Sequence, residues 1–134
     1  MPETESRGTL ADVKLHLERL LKASDPHAFL LIELQGTPHF LQFAASAQGI
    51  EMDYPLATEE QRRHEIAVRS FCSGSGLQLR QTEGSDGTRF LDCDLPRDAA
   101  AAAATVRKAL VDLFGASPTT ILVFTGDGLP QVAA

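Results

Sequence analysis

Cysteine is scarce in this sequence, and an apolar run long enough to cross a bilayer is missing. Cys72 and Cys93 are the two thiols among 134 residues, too few for a disulfide framework or a cysteine-based zinc site. The longest low-complexity run, the alanines of residues 99–104, falls far short of the roughly 20 apolar residues of a membrane-spanning helix. Residues 1–8 also lack the basic and apolar regions of a secretory signal. We therefore expect a cytoplasmic protein that does not enter a membrane.

Basic residues are in deficit as well. The sequence has 12 lysines and arginines against 18 aspartates and glutamates, which gives a formal net charge of -6. An acidic surface repels phosphate backbones and anionic lipid headgroups, so nucleic acids and membrane surfaces are disfavoured as partners. The hydrophobic fraction of 43% and the charged fraction of 22% are those of an ordinary globular protein, and the length suits one domain.

Recognisable catalytic and metal-binding motifs are absent from the sequence. The four histidines are scattered, and no two of them have the i,i+4 spacing of a helical zinc site. Gly74-Ser75-Gly76 follows a predicted helix, whereas a phosphate-binding loop precedes one. Cys72 and Cys93 fall on apolar stripes and are predicted to be inert core residues. The sequence thus predicts no catalytic residue, no metal ligand and no cofactor.

Two aspartates leave an alternative open. Asp92 and Asp94 project from one face of a predicted strand, where paired carboxylates can bind a cation or transfer protons. Because Leu91, Cys93 and Leu95 take the inner face, we interpret the two aspartates as part of a solvated outer face. A small metal-dependent hydrolase using both aspartates and a histidine is the alternative function, and a small-molecule sensor domain is another.

The periodicity of apolar residues predicts an α+β fold, an antiparallel sheet with three helices packed on one face. Helical spacing indicates helices over residues 10–23, from a capping box at Thr58 to the glycines at 74 and 76, and from a cap at Asp98 to Gly115. Strand patterns fall at residues 29–34, 40–44, 50–54, 77–80 and 90–95, with a possible C-terminal strand at 121–124. The order is α-β-β-β-α-β-β-α, in a single domain of residues 9–125 with flexible termini at 1–8 and 126–134.

This order of elements, in an acidic chain of 134 residues, resembles the type III secretion chaperone-like family of the TY-Chap type. The strand pair FLLIELQG (residues 29–36) and HFLQFAAS (39–46) carries the resemblance, with glutamine before an aromatic residue at Gln42-Phe43. Glu51 in the third strand and the alanine-rich last helix are similar too. The resemblance implies a non-enzymatic, cytoplasmic bacterial protein, dimeric in the true chaperones, which holds an extended segment of a secreted effector. The strand candidate at 121–124 departs from the family pattern.

We therefore predict a protein-binding domain of secretion-chaperone type. It is expected to form a homodimer and to bind a protein partner, such as a secreted effector, in apolar grooves between the first helix and the sheet. The residues predicted to contact the partner are large apolar side chains of the first helix and the first two strands: Leu17, Leu21, Phe29, Phe40 and Phe43.

Overall fold

The computed structural model describes residues 4–46 and 49–130. Within these ranges the chain forms seven strands and four α-helices, so the predicted α+β class is confirmed. The strands are β1 (Thr4–Gly8), β2 (Phe29–Leu34), β3 (Phe40–Ser46), β4 (Gly49–Pro55), β5 (Leu79–Glu83), β6 (Arg89–Leu95) and β7 (Leu122–Asp127). The helices are α1 (Val13–Leu21), α2 (Glu59–Arg63), α3 (Glu65–Gly74) and α4 (Ala99–Phe114), and a 3-10 turn, Leu10–Asp12, precedes α1.

All seven strands belong to one antiparallel sheet in the order β1-β7-β2-β3-β4-β6-β5. The predicted meander of β2, β3 and β4 and the hairpin of β5 and β6 are both present. The predicted C-terminal strand is confirmed as β7, and it lies inside the sheet, where Phe124 pairs with Ile32 of β2. β4 and β6 are neighbours in the sheet, although α2, α3 and β5 lie between them in the chain.

One face of the sheet carries the hydrophobic core. α1 packs against β2, β3 and β4, α4 packs against α1, and α3 packs against β5 and β6. Alternate strand residues and the helical stripes form one buried cluster, as expected for a sheet covered on one side. Cys72 and Cys93 lie in this core as predicted, with their sulfur atoms 3.9 Å apart. No described helix is both long enough and apolar enough to cross a membrane.

The ordered chain extends beyond the predicted limits of 9 and 125. Thr4–Gly8, expected in a flexible terminus, forms β1 along the outer edge of β7, with Arg7 opposite Val123. Four of its five residues are exposed. Its sequence has no alternation of apolar residues, and only its backbone pairing marks it as a strand. At the other end β7 runs to Asp127. Residues 1–3 and 131–134 of the predicted termini lie outside the described residues.

The second predicted helix is divided at His64 into α2 and α3. The capping box is confirmed, since the Gln61 amide donates to Thr58 Oγ1 at 3.1 Å and the Thr58 amide donates to Gln61 Oε1 at 3.0 Å. At His64, however, the ring Nδ1 lies 3.1 Å from the carbonyl oxygen of Glu60, the acceptor that a continuous helix would offer to the His64 amide. That amide donates to the Gln61 carbonyl instead, so competition from the side chain interrupts the helix.

Candidate functional site

The sheet face opposite the core, here called the open face, is not covered by any described helix. Its centre is apolar: Phe29 and Leu31 project from β2, and strand pairing places Phe40 of β3 and Val123 of β7 on the same side through their shared neighbour Glu33. We call Phe29, Leu31 and Phe40 the apolar patch; Val123 shares this side of the sheet but is buried, with 5% of its surface exposed. A depression of about 220 Å³ opens between Leu31, Phe40 and their polar neighbours. Apolar side chains without covering elements are typical of an interaction surface.

Besides Glu33, which lies within the apolar patch, four carboxylates of β4 and β6 adjoin it on the open face. Glu51 faces Asp94 across the β4–β6 pair, and Asp53 faces Asp92. We call these four residues the acidic cluster. Carboxylate oxygens of Glu51, Asp53 and Asp92 all lie within 4.8 Å of one another. Like charges this close cannot all stay ionised without compensation, because each raises the free-energy cost of ionising its neighbours.

Arg80 of β5 compensates one pair of the acidic cluster. Its guanidinium donates to Asp94 Oδ2 at 3.0 Å and to Glu51 Oε1 at 2.9 Å. These charge-assisted hydrogen bonds tie β4, β5 and β6 together on the open face. Both carboxylates are partly exposed, with 39% of the Asp94 side chain and 28% of the Glu51 side chain accessible.

The second pair, Asp53 and Asp92, is compensated by a proton. Asp92 is buried, with 4% of its surface exposed, and it accepts a hydrogen bond from Thr82 Oγ1 at 2.5 Å. Burial, the hydrogen bond with Asp92 and the charges of Glu51 and Asp92 raise the pKa of Asp53 to about 9, although Arg80 opposes the shift. At neutral pH the pair of Asp53 and Asp92 therefore holds one proton between its two carboxyl groups.

The interpretation of Asp92 as a solvated residue is thus wrong, whereas Asp94 is partly exposed as expected. Both aspartates do share the outer face, because strand alternation alone places them there. The burial of Asp92 comes from Asp53 of β4, its partner in the sheet, and from Thr82 of β5, which pairs with the neighbouring Phe90 and reaches Asp92 diagonally. The acidic alternation of Glu51 and Asp53 is visible in the sequence, but nothing local shows that β4 pairs with β6.

The apolar patch and the acidic cluster form one continuous surface. A second depression, of about 310 Å³, lies over Asp53, Asp92 and the flanking Phe90, and Gln42 lines both depressions. From β7 to β6 the surface crosses four strand spacings, or about 19 Å, the length of roughly six residues of extended chain. Both depressions are open to solvent, unlike the closed pocket expected of a small-molecule sensor.

The five residues predicted to contact a partner lie on two different sides of the sheet. Phe29 and Phe40 are on the open face. Leu17 and Phe43 are fully buried between α1 and the sheet, and Leu21 is half-buried against the same core. Leu17 and Phe43 fill the predicted groove between helix and sheet, so Phe29 and Phe40 are the predicted residues that a partner could reach on the open face.

Two groups of described side chains have the chemistry to hold a metal ion: Glu51, Asp53 and Asp92 on the open face, and His39, Glu60 and His64 on the helix side. The first group contains carboxylates but no histidine. Because Asp53 and Asp92 share a proton and Arg80 supplies a cation 2.9 Å from Glu51, the negative charge of this group is largely compensated already. This group is poorly suited to the metal-dependent hydrolase that Asp92, Asp94 and a histidine would make.

In comparisons with known proteins, the chain matches no family model, no curated protein and no solved structure. The resemblance to the type III secretion chaperone-like family stays a prediction.

Proposed function

We propose that this protein is a non-enzymatic, cytoplasmic protein-binding domain of secretion-chaperone type, and that its open face holds an extended segment of a partner protein. One observation carries the proposal: an apolar patch and an acidic cluster adjoin on a sheet face that no described helix covers. An extended segment that adds to a sheet edge is recognised by pockets for its alternate side chains, and we propose that the two depressions of the open face are used in the same way.

The chemistry of the surface defines the partner segment. An aromatic or aliphatic side chain suits the depression at Leu31 and Phe40, where burial contributes about 25 cal/mol per Å² of apolar surface. A lysine or arginine suits the pair of Asp53 and Asp92, because the incoming cation replaces the proton that now holds the two carboxyl groups together. The segment therefore carries apolar residues near one end and basic residues near the other.

A second copy of the chain fits this surface less well. The net charge of -6 and the acidic cluster would bring like charges together in a symmetric pairing of two open faces. A basic, apolar segment from another protein is complementary to both halves of the surface. A homodimer formed through the open face is therefore disfavoured relative to a complex with such a segment.

The first test measures binding of fluorescein-labelled peptides by fluorescence anisotropy. One peptide carries phenylalanines followed by arginines, and its control carries glutamates in place of the arginines. We expect the basic peptide to bind at least about tenfold more tightly, a difference of about 1.4 kcal/mol. Leu31→Asp should weaken binding at least about tenfold, whereas Leu15→Asp should not, because Leu15 is an exposed apolar residue of α1. Equal binding of the two peptides would count against the proposal, as would full binding by Leu31→Asp.

Sedimentation velocity distinguishes the second copy from a foreign segment. If the wild-type protein is a dimer that Leu31→Asp converts to a monomer, the open face is a self-association surface and the proposed function is overturned. If the oligomeric state is the same in the wild type, Leu31→Asp and Leu15→Asp, the open face is free for the partner segment.

A further inference from the structure

Three side chains with metal-binding chemistry converge on the helix side of the sheet. His39 immediately precedes β3, Glu60 belongs to α2, and His64 lies between α2 and α3. One ligand atom from each lies within 4.8 Å of the other two, and all three residues are half-buried. Glu60 and His64 are four residues apart, so their proximity is local, whereas His39 reaches them only through the fold.

Phe114 at the end of α4 fixes the orientation of both imidazoles. The His39 ring stacks on it with centroids 4.9 Å apart and planes inclined by 10°, and the His64 ring meets it edge-on at 5.5 Å. The two imidazole centroids are 5.2 Å apart. Two imidazoles bound to one tetrahedral ion, with metal–nitrogen distances of about 2.0–2.1 Å, have ring centres roughly 5 Å apart. The rings already have the spacing that a shared ion requires.

The hydrogen bond between the His64 ring and the Glu60 carbonyl leaves the other ring nitrogen able to bind a metal. A carbonyl oxygen only accepts, so the contact of 3.1 Å between His64 Nδ1 and the Glu60 carbonyl requires the proton on Nδ1. The neutral ring then presents the lone pair of Nε2. A backbone carbonyl that holds one imidazole nitrogen while the other binds metal is the usual supporting contact of a histidine ligand.

The carboxylate of Glu60 is available for a further ligand. Its nearest cation is Arg63, whose Nη1 lies 3.6 Å from Glu60 Oε2. Arg63 is 66% exposed and makes a closer contact, 2.9 Å, with Glu59, so an ion can displace it from Glu60 at little cost. Purely aromatic packing of the two histidines on Phe114 would not need a carboxylate directed at the same point.

We propose that His39, Glu60 and His64 form a binding site for a divalent transition-metal ion, with Zn²⁺ as the preferred ion. Two imidazoles and one carboxylate are a ligand set of zinc sites that keep a fourth position for water or another ligand, and they disfavour Mg²⁺ and Ca²⁺, which take mainly oxygen ligands. The bound ion connects the start of β3 to the junction of α2 and α3. The site lies on the opposite side of the sheet from the open face, so it does not depend on the proposed function.

Titration calorimetry and thermal melting of the untagged protein test the site, with Zn²⁺ as the probe and Mg²⁺ as the negative control. We expect one Zn²⁺ per chain and a rise in melting temperature with Zn²⁺ but not with Mg²⁺. His39→Gln and His64→Gln should each weaken Zn²⁺ binding about a hundredfold or more, since loss of a mere supporting contact costs 10–100-fold. His27→Gln is the matched control, because His27 is exposed in the loop before β2.

Co²⁺ supplies a readout that does not depend on stability. A tetrahedral site with nitrogen ligands gives Co²⁺ strong visible absorption, which should appear in the wild type and in His27→Gln and should be lost in His64→Gln. Each variant's metal-dependent shift in melting temperature is compared with its own metal-free protein, so a general loss of stability is not mistaken for loss of the site. The proposal is overturned if Zn²⁺ leaves the wild-type melting temperature unchanged, or if His64→Gln binds Zn²⁺ as tightly as His27→Gln does.

Discussion

Asp53 connects the protonation of a single carboxyl group to the stability of the whole chain. Its pKa is raised from the ordinary aspartate value of 3.8 to about 9 in the folded protein, chiefly because of burial and the hydrogen bond with Asp92. The folded state therefore holds this proton more tightly than the unfolded state does. The stabilising contribution is complete below pH 3.8 and is lost progressively as the pH rises toward about 9.

Replacing Asp53 by asparagine should remove this pH dependence. The amide of Asp53→Asn keeps a donor toward Asp92 but has no proton to lose. We expect the variant to match the wild type near the acid end and to exceed its unfolding free energy at pH 8 by on the order of 1–2 kcal/mol, a value reduced for solvent screening. Urea denaturation at several pH values measures the difference.

Asp94→Asn is the control for the Asp53 prediction, because Asp94 is ion-paired with Arg80 and partly exposed. This variant removes a negative charge from the acidic cluster yet should retain the decline in stability between acid and pH 8. A decline of wild-type size in Asp53→Asn would show that Asp53 ionises in the folded protein as it does in the unfolded chain.

α4 is the element whose packing depends most on small side chains. Ala102, Ala103 and Ala109 are fully buried on its inner stripe, and the helix packs against α1. Alanine both favours the helix and allows close approach of its neighbour. The helix begins at Asp98, which accepts from the Ala101 amide at 2.9 Å, and ends at Gly115, whose φ of 72° places it in the left-handed region.

Enlarging the inner stripe of α4 should force the layers apart. Ala102→Leu is expected to lower the free energy of unfolding by about 1–3 kcal/mol, the usual cost of overpacking. Ala104→Leu adds the same volume on the exposed side of the same helix and should change stability by less than about 0.5 kcal/mol. Chemical denaturation of the two variants in parallel provides the comparison. Equal decreases in the free energy of unfolding would show that the inner stripe is not tightly packed.

Elements with a strong local signal were the ones that the sequence could predict. The cap and C-terminal glycine define α4, and short turns join the hairpins of β2 with β3 and of β5 with β6. The division between α2 and α3 could not be predicted, because it arises when the His64 ring competes for a backbone carbonyl. β1 was missed for the opposite reason: its side chains bury nothing, and only pairing with β7 makes it a strand.

Neither the open face nor the cluster of His39, Glu60 and His64 could be predicted from the sequence, because both depend on how the whole molecule is assembled. Phe29 and Phe43 are both aromatic residues of predicted strands, yet one lies on the open face and the other has no exposed surface. An apolar strand such as β2 carries apolar side chains on both faces, so its sequence does not say which face the helices cover. His39 likewise joins Glu60 and His64 only after β3 is placed beside the α2–α3 junction.

β1 covers the edge of β7, and its removal should change how the molecule associates. Without residues 1–8, the backbone of β7 is unpaired along a stretch that includes Leu122, Val123 and Phe124. Exposed apolar edges pair with other chains. We expect the shortened protein to form larger, concentration-dependent species than the wild type in sedimentation velocity, whereas Glu5→Ala, which leaves the backbone of β1 intact, should sediment like the wild type. Identical sedimentation of the shortened protein and the wild type would contradict this role of β1.

The pairing of β1 with β7 also sets an order of events during synthesis. Thr4 bonds to the carbonyl of Gly126, 122 residues further along the chain. β1 is therefore translated before its partner β7, with most of the described chain between them, and closing so long a loop is slow. A segment that stays unpaired and exposed to solvent for this time aggregates less when it is polar, and the sequence TESRG of Thr4–Gly8 is polar.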